Sequence, residues 1–208
     1  QSLAGFARRT KLSQAILAKL AEADAFGSLN RDRRDALWES LAQEKSPIDQ
    51  PLFDLVDHED DWPVGLPEIS DQQQVFADYN TMGLSLRSHP VSFYRKQLDE
   101  MHVKRATDLA DIDNNRFVRV AGVVLLRQKP STANGITFVT LEDETGTMNL
   151  VMQHRTWKRY YKIARMSNAW VASGKIEKKH SVIHVLVSSL QDLSDQMKLE
   201  TTKSRDYR

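Results

Sequence analysis

Residues 116–128 read RFVRVAGVVLLRQ, a long β-branched and aliphatic run interrupted only by Gly122. Its period is two, which predicts a long strand with a bulge or tight bend at the glycine. A loop holding Pro130 and Gly135 follows, then a second strand, ITFVTLED (136–143). Thr145-Gly146 makes a tight turn into a third strand, MNLVMQ (148–153). RTWKRYYKIAR (155–165) predicts a helix, and AWVASGKIEKK (169–179) and SVIHVLVSSLQDL (181–193) predict two further strands. The order β-β-β-α-β-β over residues 113–193 points to a five-stranded OB barrel. Such barrels take oligonucleotides on strands two and three and on the loops joining strands one–two and four–five.

Working outward, residues 1–46 read as a helical hairpin. Ser13 is placed to cap a helix through Ile16, Leu17 and Leu20, and Gly27 suits the positive φ of a helix end. Asn30 is placed to cap a second helix through Arg34, Leu37, Trp38 and Leu41. Residues 47–75 contain Pro47, Pro51, Pro63 and Pro67, eight acids and no Lys or Arg, and read as an acidic linker. Residues 76–112 form a helical connector: Ser70 can cap DQQQVFADYNTMG, and Pro90 sits near the start of VSFYRKQLDEM. Residues 194–208 are a tail. The expected class is α+β, an N-terminal helical hairpin region joined to a C-terminal five-stranded OB barrel.

Composition narrows the possible functions. Of 208 residues, 40% are hydrophobic and 27% charged, a globular balance. No window approaches eighteen uncharged apolar residues, which excludes a helical membrane span. The absence of Cys excludes disulfides, thiol catalysis and cysteine-ligated zinc. A start at Gln1, without an initiator Met or a signal peptide, suggests a piece of a longer, cytoplasmic protein. The net charge of +1 is a sum over unlike parts, since residues 111–208 hold sixteen Lys/Arg against ten Asp/Glu. Local sign decides what each part attracts.

On the second strand, Val139 and Leu141 share one side and Phe138 and Thr140 the other. With the valine and leucine in the core, Phe138 faces the groove, and Asn149 across the hairpin shares that face. A ring can stack on a base while an amide bonds its edge. Arg119 and Arg127 on the first strand, Lys129 in the loop after it, and Lys178 and Lys179 near the last loop are candidate phosphate contacts. Arg31, Arg33 and Arg34 open the second helix of the hairpin and are candidates for duplex contact. Trp157, Tyr160 and Tyr161 have the helical spacing of core residues. Glu142, Asp143 and Glu144 point to alternate faces and read as a hairpin end rather than a metal site. Asp57–Asp61 lacks the spaced ligands and Gly of a calcium loop. With no HExxH, Gly-rich phosphate loop or G-x-S-x-G elbow, no catalytic centre is expected.

The segments DYNTMGLSLRSHPVSFYRKQL, RVAGVVLLRQKPSTANGITFVTLEDETGTMNLVM and TKSRDYR together resemble the carboxyl-terminal region of bacterial C-family DNA polymerases. The likeness is closest to their error-prone, alpha-subunit-like translesion members of the ImuC type. LAEADAFGSLNRDRRDALWE is similar to the helix-hairpin-helix region of that family, with Ala25-Phe26-Gly27 where a Gly-hydrophobic-Gly hairpin is usual. The resemblance implies a region for single-stranded template and primer-template duplex, serving translesion synthesis, DNA repair and SOS mutagenesis. It implies no cofactor in this segment and Mg2+ for the parent polymerase, whose catalytic carboxylates lie in a palm domain. FVTLEDETGTMN is also similar to the anticodon-binding barrels of class II tRNA synthetases, where the positions matching Phe138 and Asn149 contact bases. DQPLFDL partly resembles a sliding-clamp-binding motif, which makes Leu52 and Phe53 candidate partner contacts. The alternative reading is a protein-interaction module docking other translesion subunits or the sliding clamp.

Overall fold

The computed structural model describes residues 2–42, 66–132, 135–179 and 182–194, with the backbone of 205–207. The chain divides into two compact units, Gln1–Met82 and Gly83–Arg208. Among the described residues, no helix is long and apolar enough to cross a membrane.

The first unit holds helices α1 (Leu3–Thr10), α2 (Gln14–Glu22), α3 (Arg33–Ala42) and α4 (Asp71–Met82). Leu3, Leu17, Ala21, Phe26 and Ala36 form its core, with Phe6 edge-on to Phe26 at 5.5 Å. Ser13 stands at the N-cap of α2 as expected, although its side chain makes no capping bond. The cap of α3 differs from expectation. Asp32 Oδ1 accepts from Asp35 N at 2.8 Å, while Asn30 takes left-handed backbone (φ 56°) after a 3-10 turn at Gly27–Leu29. The positive φ expected of Gly27 is carried by Asp24 and Asn30 instead. A short polar side chain can stabilise that conformation by local hydrogen bonds. At the start of α4, Ser70 and Gln73 form a reciprocal capping box, Gln73 N to Ser70 Oγ at 3.3 Å and Ser70 N to Gln73 Oε1 at 3.2 Å.

The phase of α3 also differs. Its buried positions are Arg33, Ala36 and Ser40, whereas Trp38 and Leu41 are exposed. Arg33 reaches from this face to α4, donating to the Gln74 carbonyl at 3.0 Å and pairing with the Asp78 carboxylate.

The second unit adds the 3-10 turn Pro90–Tyr94, α5 (Arg95–Glu100), and strands β1 (Val103–Lys104), β2 (Phe117–Gln128), β3 (Thr137–Asp143) and β4 (Gly146–Met152). After α6 (His154–Arg159) and α7 (Tyr161–Met166) come β5 (Ala169–Lys179), β6 (Val182–Asp192) and the short β7 (Arg205–Tyr207). Strands pair in the order β2-β3-β4-β6-β5, and β5 returns to β2 to close the barrel. The five strands and the helical segment between β4 and β5 are those of the OB barrel. β1 and β7 each run parallel to β2, at Arg119–Val120 and Leu126–Gln128 respectively. Trp170, Leu141, Met148, Leu150, Met152 and Ile176 fill the barrel.

Two glycines mark places where strands come too close for a side chain. A Cβ on Gly122 would lie 2.5 Å from the Glu142 carbonyl oxygen, where β2 passes from pairing with β5 to pairing with β3. The register shift itself falls between Val124 and Leu126 rather than at the glycine. A Cβ on Gly174 would lie 2.1 Å from the Leu186 carbonyl oxygen, beside the β5 bulge at Ser173/Gly174.

The carboxylates at the β3–β4 turn are structural, as their alternation suggested. Asp143 accepts from the amides of Ala106 (2.9 Å), Thr145 (2.7 Å) and Gly146 (3.1 Å). Glu144 takes a two-pronged bond from Arg95 at 2.5 and 2.8 Å, tying α5 to the hairpin. Burial alone would raise the Glu144 pKa, but the hydrogen bond and charge of Arg95, with help from Arg105, outweigh it and hold the carboxyl below its ordinary value. A depressed carboxyl contributes stability that is complete above its unfolded value and lost as pH falls through the folded one. The Tm of the wild type should therefore fall on acidification through that range. Glu144→Gln should start lower and converge with the wild type in acid; a constant Tm difference at all pH values would exclude the clamp.

Candidate nucleic-acid interface

The site follows from strand parity. Along β3, Thr137, Val139, Leu141 and Asp143 are buried, and Phe138, Thr140 and Glu142 turn outward. Along β4, Met148, Leu150 and Met152 are inside, and Thr147, Asn149 and Val151 outside. Phe138 is therefore on the outer face, half-buried, and Asn149 is exposed on the same face. Cross-strand register extends this face across the barrel. One row runs Leu126, Thr140, Asn149, His184, Glu177, and the next runs Gln128, Phe138, Val151, Leu186, Lys175. Phe138 and Asn149 are diagonal neighbours on adjacent strands, within reach of one ligand.

The Glu142 end of this face is covered. Ala121 and Val123, on the outer side of β2, are fully buried, and the Pro90–Tyr94 turn packs against β2 and β3. His89 Nε2 lies 3.7 Å from Glu142 Oε2.

The cations named from sequence separate into several groups. Lys129 is exposed just after Gln128, at the Phe138 end. Lys179 is exposed on the outer side of β5 and paired with Glu177 at 2.8 Å. Arg119 is exposed, but it sits where β2 pairs with β1 and β5, and its guanidinium donates to the Met101 carbonyl at 3.0 Å.

Arg127 and Lys178 are corrections. Arg127 is 6% exposed; its Nε donates to the Ala164 carbonyl at 2.9 Å, its Nη2 to the Ser167 carbonyl, and it lies over the Trp170 ring. The bulge between Val124 and Leu126 slips the parity of β2 by one, which brings Arg127 opposite the core residue Val139. Lys178 alternates away from the face and donates from Nζ to the Ala110 carbonyl at 2.6 Å.

The hairpin arginines do not form a free basic cluster either. Arg31 pairs with Glu39 at 2.8 Å, Arg33 is buried against Asp78, and Arg34 donates to the Pro67 carbonyl. Leu52 and Phe53 lie outside the described residues. On the segment after β4, Trp157 and Tyr160 pack on the barrel core as their spacing suggested, whereas Tyr161 is exposed. Among the described residues, no three His, Asp or Glu side chains form a group able to hold a metal ion.

Comparison with known proteins agrees with the barrel fold. Residues 118–193 match the OB-fold nucleic acid binding domain family. The error-prone DNA polymerase of Rhodopirellula baltica is 49% identical over 200 residues, covering 96% of this chain and 18% of that protein. Error-prone DNA polymerase 1 of Rhizobium meliloti is 38% identical over 204 residues, with the same two coverages. Along nearly its whole length, the chain is similar to one segment of error-prone DNA polymerases. The error-prone DNA polymerase of Anaeromyxobacter sp. strain K is 42% identical over 194 residues, covering 93% of this chain and 17% of that protein. The chain thus spans under a fifth of the length of these relatives.

Two outer-face residues are not among those the sequence pattern singled out. Lys175 is exposed beside Leu186, and His184 is half-buried between Asn149 and Glu177 with its Nδ1 unpartnered. Counting by twos from the core residue Ile176 would have found Lys175 and excluded Lys178. His184 needed the parallel β4–β6 register, which no local pattern encodes.

Proposed function

We propose that the outer face of the barrel binds single-stranded DNA, with little base preference, as the template-holding element of an error-prone translesion polymerase. The observation that carries this reading is the pair of open rows with Phe138 and Asn149 at their centre and Lys129 and Lys175 at the Phe138 end. Phe138 would stack on a base, Asn149 would bond a base edge, and the lysines would neutralise phosphates. A stacking face tolerates every base, since each has a π-face, and this suits damaged template.

Titrating the 208-residue chain with labelled oligothymidylate at several salt concentrations tests the reading. With two lysines (Lys129, Lys175) on phosphates, log K should fall with log salt at a slope near −1.4, about −0.7 for each. Absent or salt-independent binding would remove the proposal. Phe138→Ala should weaken binding by roughly 1–3 kcal/mol with the slope unchanged, and an unchanged affinity would deny the ring a stacking role. Competition with RNA strands distinguishes a DNA site from one of synthetase type. Duplex contact would need cations other than the engaged hairpin arginines. A module docking other translesion subunits or the clamp through Leu52 and Phe53 is the competing assignment. Partner capture that survives high salt while DNA binding is lost would favour it.

A further inference from the structure

We infer that α6 and α7 form a second phosphate-binding surface, which takes the same nucleic-acid strand after it leaves the outer face past Phe138. This inference rests on the outer-face reading above. From Thr145 to Ile176 the chain has no Asp or Glu and six Lys or Arg, five of them on these two helices. Trp157, Tyr160, Ile163 and Ala164 turn toward the barrel core. Arg155, Lys158, Lys162 and Arg165 are all exposed, at spacings of three, four and three, with Arg159 beside them. Arg155 and Lys158 are a same-face pair on α6, and Lys162 and Arg165 a same-face pair on α7, so the two short helices together carry a stripe of cations across the break at Tyr160.

Among the described residues, none of these five cations pairs with a carboxylate, whereas Arg31, Arg95 and Arg105 elsewhere all do. Two are oriented by aromatic rings instead: Arg159 lies over Tyr160 at 5.5 Å, and Arg165 over Tyr161 at 5.8 Å, donating to its hydroxyl. Arg155 and Arg159 are like charges four residues apart on α6, an arrangement that destabilises a helix on its own. A polyanion relieves that repulsion and gains the release of its own counterions.

Position identifies the strand. Val151 pairs with Phe138, and α6 begins three residues later. At that point His154 abuts the loop after β2, where a Cβ on Gly135 would lie 3.2 Å from its Nδ1. Lys129 is in the same loop. A backbone crossing the Phe138 row therefore meets Lys129 in the loop that His154, the first residue of α6, abuts.

The test compares the full chain with the triple variant R155Q/K158Q/K162Q, using oligothymidylates of about 5 and about 15 nucleotides, the range of OB-domain site sizes. With the long strand, the variant should bind more weakly and its salt slope should be less negative by about 2, three phosphates at roughly 0.7 each. With the short strand it should match the wild type. The charge-keeping variant R155K/K158R/K162R should restore the long-strand slope, which separates charge from folding. An unchanged slope on the long strand overturns the proposal. Equal losses on both lengths also overturn it, because they would mark a diffuse field rather than a strand path. Stronger competition by polyglutamate than by an oligonucleotide of equal charge overturns it in favour of an acidic protein partner. Phe138→Ala separates the two readings: it should weaken both lengths, and no effect on either would sink the outer-face site whatever the triple variant does.

Discussion

Arg127→Ala is expected to destabilise the barrel by about 3 kcal/mol while leaving the salt dependence of DNA binding unchanged. The guanidinium is buried and caps the end of α7, donating to the carbonyls of Ala164 and Ser167 and stacking on Trp170. A hydrogen bond from a charged donor contributes about 1.5–3 kcal/mol, and carbonyls stranded without a partner keep their desolvation cost. Ser167 is a junction in its own right, since its carbonyl also accepts from Trp170 Nε1 at 3.2 Å and its hydroxyl meets Ser194 at 2.8 Å. Urea midpoints check the stability loss. A salt slope measured where the variant is still folded checks the second half. A stable variant whose slope becomes less negative by about 0.7 would return Arg127 to the phosphate contacts.

Arg33→Ala should be as damaging, but in the other unit. Arg33 and Asp78 are buried, each about 6% exposed at the side chain. Removing one member of such a pair costs about 3–5 kcal/mol, because the remaining charge stays out of water. Asp78 has further interactions, so the lower end, about 3 kcal/mol, is expected. Hydrogen exchange should rise across α3 and α4 and stay unchanged in the barrel strands; Arg127→Ala should give the reverse pattern. Exchange unaltered in α3 and α4 would show that the pair carries little of the helical unit's stability.

Both arginines looked like phosphate ligands for the same reason. Each stands in a basic stretch, at a strand end or a helix start, where a cation is usually solvated. For Arg127 the misleading element is the bulge after Val124, a one-residue slip that leaves composition untouched and reverses the facing of everything beyond it. For Arg33 it is the phase of α3. Leu37, Trp38 and Leu41 suggest one buried face, but only Leu37 of them packs on the core, and Arg33, Ala36 and Ser40 are the buried positions, with α4 supplying the carboxylate. On α6–α7 the aromatic residues have the spacing of a core face, and the acid-free row of cations between them lies outside that pattern.

The sequence by itself determined the strand order, the outward facing of Phe138 and Asn149, and the turn that Asp143 closes at Thr145-Gly146. These follow from period-two alternation and turn chemistry, which act between residues a few positions apart. Which cations remain free for a nucleic acid was decided only by the tertiary structure. A guanidinium is engaged or available according to the group it meets, and those groups lie far along the chain: Asp78 is 45 residues from Arg33, and Ser167 is 40 from Arg127. Local pattern has no access to such pairings. The closed barrel and the packed helices create them, and by the same packing leave Lys175 and the α6–α7 stripe facing outward, with no carboxylate partner among the described residues.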